Sequence, residues 1–96
     1  MQKTKDWIKS LSKKRLCFLE QDCIGFSKHA IKDGLFQYNI SEEEITKIIF
    51  KGQINFKKCK KPNHIVYTGK IGKKEFEVAA KFLETHIFVK TIYIKN

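Results

Sequence analysis

Residues 75–83 read EFEVAAKFL. Phe76, Val78, Ala80 and Phe82 alternate with Glu75, Glu77, Ala79 and Lys81. Successive side chains of a strand point to opposite faces. The segment therefore predicts a strand whose apolar face meets helices, while Glu77 and Lys81 point to an open face. The neighbouring segments keep the same period of two. HIVYTGKI (64–71) sets Ile65, Tyr67 and Ile71 on one side, and QINFKKC (53–59) sets Ile54 and Phe56 on one side. IFVKTIYIK (87–95) is rich in β-branched residues, which suit a pleated, half-buried surface. The connections KKPN, GKK and ETH are short enough for hairpins. These four segments predict a four-stranded antiparallel meander.

Upstream the period lengthens to that of a helix. Ser41 and Glu44 spell a capping box, with Ile40 and Ile45 placed to staple across it. Glu42, Glu43 and Glu44 sit at the positive end of the helix dipole, and Lys47 and Lys51 toward its negative end. Ile45, Ile48 and Ile49 form a buried stripe, and Gly52 ends the helix. A second helix is expected near 28–38, capped by Ser27, with Ile31, Leu35 and Tyr38 toward the core. A third is expected over 4–14, with Trp7, Ile8 and Leu11 on one stripe. Residues 15–26, with the apolar cluster Leu16–Leu19, read equally as helix or irregular chain. Helices followed by an antiparallel meander make an α+β domain with two to three helices on one face of the sheet. The 96 residues suffice for one domain: a helical extension over 1–23 and a core over 24–96.

The formal charge is +10, and nineteen of the twenty basic residues are lysine. Between Lys57 and Lys74 stand seven lysines (57, 58, 60, 61, 70, 73 and 74) and no acid. Such a field favours polyanions, RNA or DNA above all, through release of the counterions held by phosphates. The pairs Lys60–Lys61 and Lys73–Lys74 fall at opposite ends of one strand, about 23 Å apart at ~3.3 Å per residue. They predict contacts to an extended backbone, with little base reading, because lysine lacks the bidentate geometry of arginine. Cys17, Cys23 and Cys59 make neither a disulfide framework nor a zinc motif, so no metal and no cofactor are expected. No apolar run approaches the ~20 residues of a membrane span, and the N-terminus lacks the apolar region of a signal peptide. No membrane partner and a cytoplasmic site are therefore expected. Delivery into another cell by a route without a signal peptide stays open.

Phe26, Ser27, His29 and Ala30, then Ile40, Ser41, Glu42 and Glu43, then Gly52, and finally Thr91 with Tyr93 carry a resemblance. Over about residues 24–96 the chain resembles a family of small bacterial domains of unknown function, grouped with the RelE-like and barnase-like (BECR-type) ribonuclease toxins. The resemblance implies a RelE/barnase-like fold, action on RNA, and an acidic antitoxin or immunity protein as partner. Members of that family commonly carry arginines after the histidine; here that segment reads IKDGLFQYN and has none.

Metal-independent RNA cleavage needs a base for the 2′-hydroxyl, an acid for the leaving oxygen and cations for the phosphorane. His29 is one candidate base, with Asp33 one turn on and Lys28 and Lys32 beside it as phosphate contacts. His64, next to the lysine-rich turn, is an independent candidate. Glu77 and Lys81 on the open face offer a base and a cation. Tyr93 can donate to a phosphate oxygen, and Thr91 shares its strand. Three functions compete: a ribonuclease toxin, a catalytically silent RNA-binding module, and a protein-interaction module whose basic face meets an acidic partner.

Overall fold

The computed structural model describes residues 3–14, 17–18 and 23–95. Helix α1 (Lys3–Ser12) is followed by a short strand β1 (Ile24–Phe26). Helix α2 starts as Lys28–Ala30 and widens into a π-helix over Ile31–Phe36, and helix α3 spans Glu42–Lys51. Strands β2 (Gln53–Ile54), β3 (His64–Ile71), β4 (Lys74–Phe82) and β5 (Ile87–Lys95) complete one five-stranded sheet in the order β1-β5-β4-β3-β2. The α+β class and the three helices agree with the sequence. The sheet differs from the expected four-stranded antiparallel meander: it is mixed, because β1 joins β5 in parallel. That strand falls in the stretch read as ambiguous. Leu16 and Leu19 of the same stretch lie outside the described residues.

The alternation of β4 sets the layers as expected. Phe76, Val78, Ala80 and Phe82 are buried with Ile65 and Tyr67 of β3 and with Ile45, Ile48 and Ile49 of α3. The capping box of α3 is formed: the Ser41 amide donates to Glu44 Oε1 (3.0 Å) and the Glu44 amide to Ser41 Oγ (3.1 Å). Ser12 and the fully buried Tyr67 share a hydroxyl–hydroxyl hydrogen bond of 2.8 Å, which ties α1 to the sheet. Gly34 weakens α2 as a helix, and the packing explains its presence. A Cβ there would lie 2.8 Å from Cβ of Ile92, so its absence lets α2 lie directly on β5.

β5 carries a bulge. Val89 pairs with Ala80 and Thr91 pairs with Ala79, which leaves Lys90 as an extra residue. The bulge turns Ile92 and Ile94 toward the core and Thr91 and Tyr93 toward the other face. Ser27 stitches it in place. Its amide donates to Val89 O (2.9 Å), its hydroxyl donates to Lys90 O (2.8 Å), and the hydroxyl oxygen accepts from the Ala30 amide (3.0 Å).

The largest departure concerns residues 53–59, expected as one strand. Pairing with β3 ends at Ile54. The chain then makes a 3₁₀ turn, Phe56–Lys58, and folds across the sheet face opposite the helices. The face expected to be open is therefore partly roofed: Val66, Glu77 and Ala79 keep no more than 3% exposure.

Candidate functional site: a cationic cleft on the outer sheet face

The roof is anchored by one carboxylate. Glu77 Oε1 accepts from Lys58 Nζ (2.9 Å) and Oε2 accepts from Asn55 Nδ2 (3.2 Å). The Asn55 amide donates to Val66 O (2.9 Å), and the Val66 amide meets Cys59 Sγ at 3.5 Å. Burial pushes the Cys59 thiol up, against the Val66 hydrogen bond that favours the thiolate. Further along, Lys60 and His64 exchange two backbone hydrogen bonds (2.9 and 2.8 Å), and Asn63 Nδ2 donates to Phe82 O (3.1 Å). Glu77, expected as a candidate base, is thus a positioning residue. It is buried, and both its oxygens hold the roof.

Between roof and sheet lies a cleft of about 360 Å³, lined by Lys57, Lys58, Lys60, His64, Glu77 and Tyr93 above Val66. Three groups named from the sequence as catalytic therefore meet here. His64 stands directly across from Lys81 on the same face, and Glu77 stands across from Tyr93. Burial is the first cause that pulls the His64 imidazole below its ordinary value of 6.5; Lys90, Lys60 and Lys81 push the same way. The result is a neutral imidazole amid ammonium groups at pH 7. Lys90 was not foreseen. Its signal was the break in alternation from Ile87 and Val89 to Ile92 and Ile94, which marks a bulge.

Other residues named from the sequence lie elsewhere. His29 Nδ1 pairs with Asp33 Oδ2 at 2.8 Å, as the i, i+4 spacing implied, but both side chains are more than half exposed. Their helix packs on the core side of the sheet, opposite His64, and Lys28 and Lys32 beside them are exposed. Lys61 is exposed in the turn before β3, and Lys73 and Lys74 are exposed at the far end of the hairpin. Lys70 lines a separate groove of about 380 Å³ with Lys47 and Lys51. That groove also holds Glu44 and the carbonyl end of α3, whose dipole opposes an anion. Thr91 is half-buried on β5, between Lys90 and Tyr93 in the chain. Among the described residues no group of three His, Cys, Asp or Glu side chains is placed to hold a metal ion. Among them, too, no helix is long and apolar enough to cross a membrane.

The tether makes a direct prediction. The Lys58 side chain is 58% exposed and that of Glu77 only 4%, so Glu77→Ala strands no buried charge. The loss is that of two hydrogen bonds to a carboxylate, discounted because water screens one partner: about 1–2 kcal/mol. Amide hydrogen exchange over Asn55–Cys59 should accelerate well beyond the global change, since the roof loosens first. Unchanged exchange there would mean that Glu77 does not hold the roof.

Fold and cleft together define a small basic α+β domain with a lysine-lined cleft on the outer face of a mixed sheet. The chain belongs to the family described as a domain of unknown function, DUF4258, whose model matches residues 26–94. No curated protein and no solved structure matches the chain.

Proposed function

We propose that this domain binds RNA in the His64 cleft and cleaves it without a metal, as a toxin-like endoribonuclease of a toxin–antitoxin or toxin–immunity system. The observation that carries the reading is the placing of His64 across from Lys81, in a cleft walled by Lys57, Lys58 and Lys60. The order of its parts, which resembles that of RelE-like and barnase-like ribonucleases, supports the same reading. His64 accepts the proton of a ribose 2′-hydroxyl, and the 2′-oxygen attacks phosphorus. Lys60, Lys81 and Lys90 balance the charge on the phosphorane. The P–O5′ bond breaks, the 5′-oxygen takes the phenolic proton of Tyr93, and a 2′,3′-cyclic phosphate remains.

Purified protein in excess chelator should cut single-stranded RNA to products ending in cyclic phosphate. A strand with one ribose at the cut site replaced by deoxyribose should survive there. Intact RNA together with unimpaired growth of an expressing host would remove the enzyme reading. A silent RNA-binding module is the second reading, favoured because His64 is the one imidazole lining the cleft among the described residues. It predicts binding without cleavage, with a log–log salt slope of about −3 if four phosphates are neutralised on a single strand. An acidic antitoxin or immunity protein is the expected partner, since it would cover the same lysines.

A further inference from the structure

We propose that the outer face of β5 is a base-stacking track that makes the cleft selective for single-stranded RNA, with Phe88 and Tyr93 as its two platforms. The inference rests on the RNA reading above and adds what seats the bases.

Lysines and the roof account for the phosphates, but Phe88 on the same face has no part in that chemistry and Tyr93 enters it only through its hydroxyl, which leaves both rings to be explained. Strand register puts Gly25, Phe88, Lys81 and His64 in one lateral row across β1, β5, β4 and β3. Phe88 therefore flanks Lys81 on the side away from His64, about one strand spacing of ~4.8 Å from each neighbour. On its other flank stands Gly25, where a Cβ would come within 3.7 Å of Phe88 Cδ1 and 3.9 Å of His86 Cδ2, so the glycine makes room for both rings. The His86 ring stands perpendicular to Phe88, with centroids 6.4 Å apart, and steadies it.

Tyr93 is 47% exposed, so its ring is open to a ligand. It shares the face with Phe88 because the bulge at Lys90 resets the alternation between them. Their partners on β4, Lys81 and Glu77, are four residues apart, so the two rings stand about 13 Å apart along the sheet. That spacing is about two stretched nucleotide steps of ~6.5 Å, so the rings seat two bases with one nucleotide between them, beside Lys90 and Thr91. The roof walls the track on the side of β3, with its lysines facing the cleft. Aromatic platforms alternating with cations are how proteins hold single strands with little sequence preference, since every base offers a π-face. Paired bases in an A-form duplex are stacked on one another and cannot lie on these rings.

The test is binding of a short 2′-O-methyl RNA, which cannot be cleaved, against a blunt duplex of the same sequence. Wild-type protein should hold the single strand at least tenfold more tightly. Phe88→Ala and Tyr93→Ala should each weaken single-strand binding about tenfold, with the salt slope and duplex binding unchanged. Phe88→Leu should weaken binding like Phe88→Ala; if it binds like wild type, Phe88 only fills space and the track is overturned. Tyr93→Phe keeps the ring and should bind like wild type. Equal affinity for strand and duplex, or alanine variants as tight as wild type while Lys81→Ala weakens binding, would overturn the track and leave the RNA reading intact. Wild-type protein that binds neither RNA would overturn both.

Discussion

His64→Ala is expected to lower RNA cleavage a hundred- to ten-thousand-fold, the range that a positioned general base contributes. Binding should change far less, because Lys57, Lys58, Lys60 and Lys81 remain. The pH profile makes the expectation sharper. The imidazole must be neutral to accept a proton, so the rate falls as pH falls through its pKa. Burial, with Lys90, Lys60 and Lys81 behind it, holds that pKa below 6.5 in the free protein. The acid limb of kcat/KM therefore lies below pH 6.5. A bound phosphodiester favours the imidazolium, so the acid limb of kcat should lie higher. Stability carries the same sign. The unfolded chain takes up a proton at His64 near pH 6.5 and the folded chain does so only lower. The stability that His64 lends is present above 6.5 and is lost as pH falls through the folded value. In His64→Ala both pH effects should vanish. A variant with wild-type activity, or an acid limb above pH 6.5 in kcat/KM, would remove His64 from the reaction.

Gly52→Ala is expected to cost about 3 kcal/mol, the upper part of the range for forcing extra volume into a packed site. The cause is not backbone freedom, since Gly52 at φ −71° and ψ 167° adopts a conformation open to any residue. It is contact. A Cβ there would fall 2.3 Å from Ile48 O and 2.4 Å from Thr68 O. Both are backbone atoms, one in the last turn of α3 and the other in β3, and neither can turn aside as a side chain can. The helix end and the strand must separate, and the Gly52 amide must give up its hydrogen bond to Ile48 O. For a chain of this size the melting temperature should drop by roughly 15 °C. A drop of a few degrees would show that the helix–strand junction is softer than the packing implies.

What could be read from the sequence was what local chemistry writes. The capping box of α3 needs only Ser41 and Glu44, and the faces of β4 need only its alternation. Both stand as expected. The remainder depended on partners distant in the chain. β1 is three residues long and exists because β5 offers it an edge and Ser27 fastens its end. Asn55 and Lys58 leave the strand because Glu77, more than 15 positions away, accepts from both. The face that looked open was roofed by that bond. The site was legible in part: His64, Glu77, Lys81 and Tyr93 do share the outer face. Their lysine neighbours were drawn from one turn and one roof rather than from both ends of a hairpin. His29 was drawn toward chemistry by its neighbours in sequence, and the sheet lies between it and the cleft.

The single unpaired residue at Lys90 has a consequence for how this chain tolerates change in length. Everything after it on the last strand is displaced by half a pleat, so its parity, rather than its composition, decides which way Ile92, Tyr93 and Ile94 look. Trimming one residue there would turn two isoleucines outward and drive a tyrosine and a threonine inward at one stroke. Descendants of this sequence are thus free to exchange side chains along that strand while being held to its residue count.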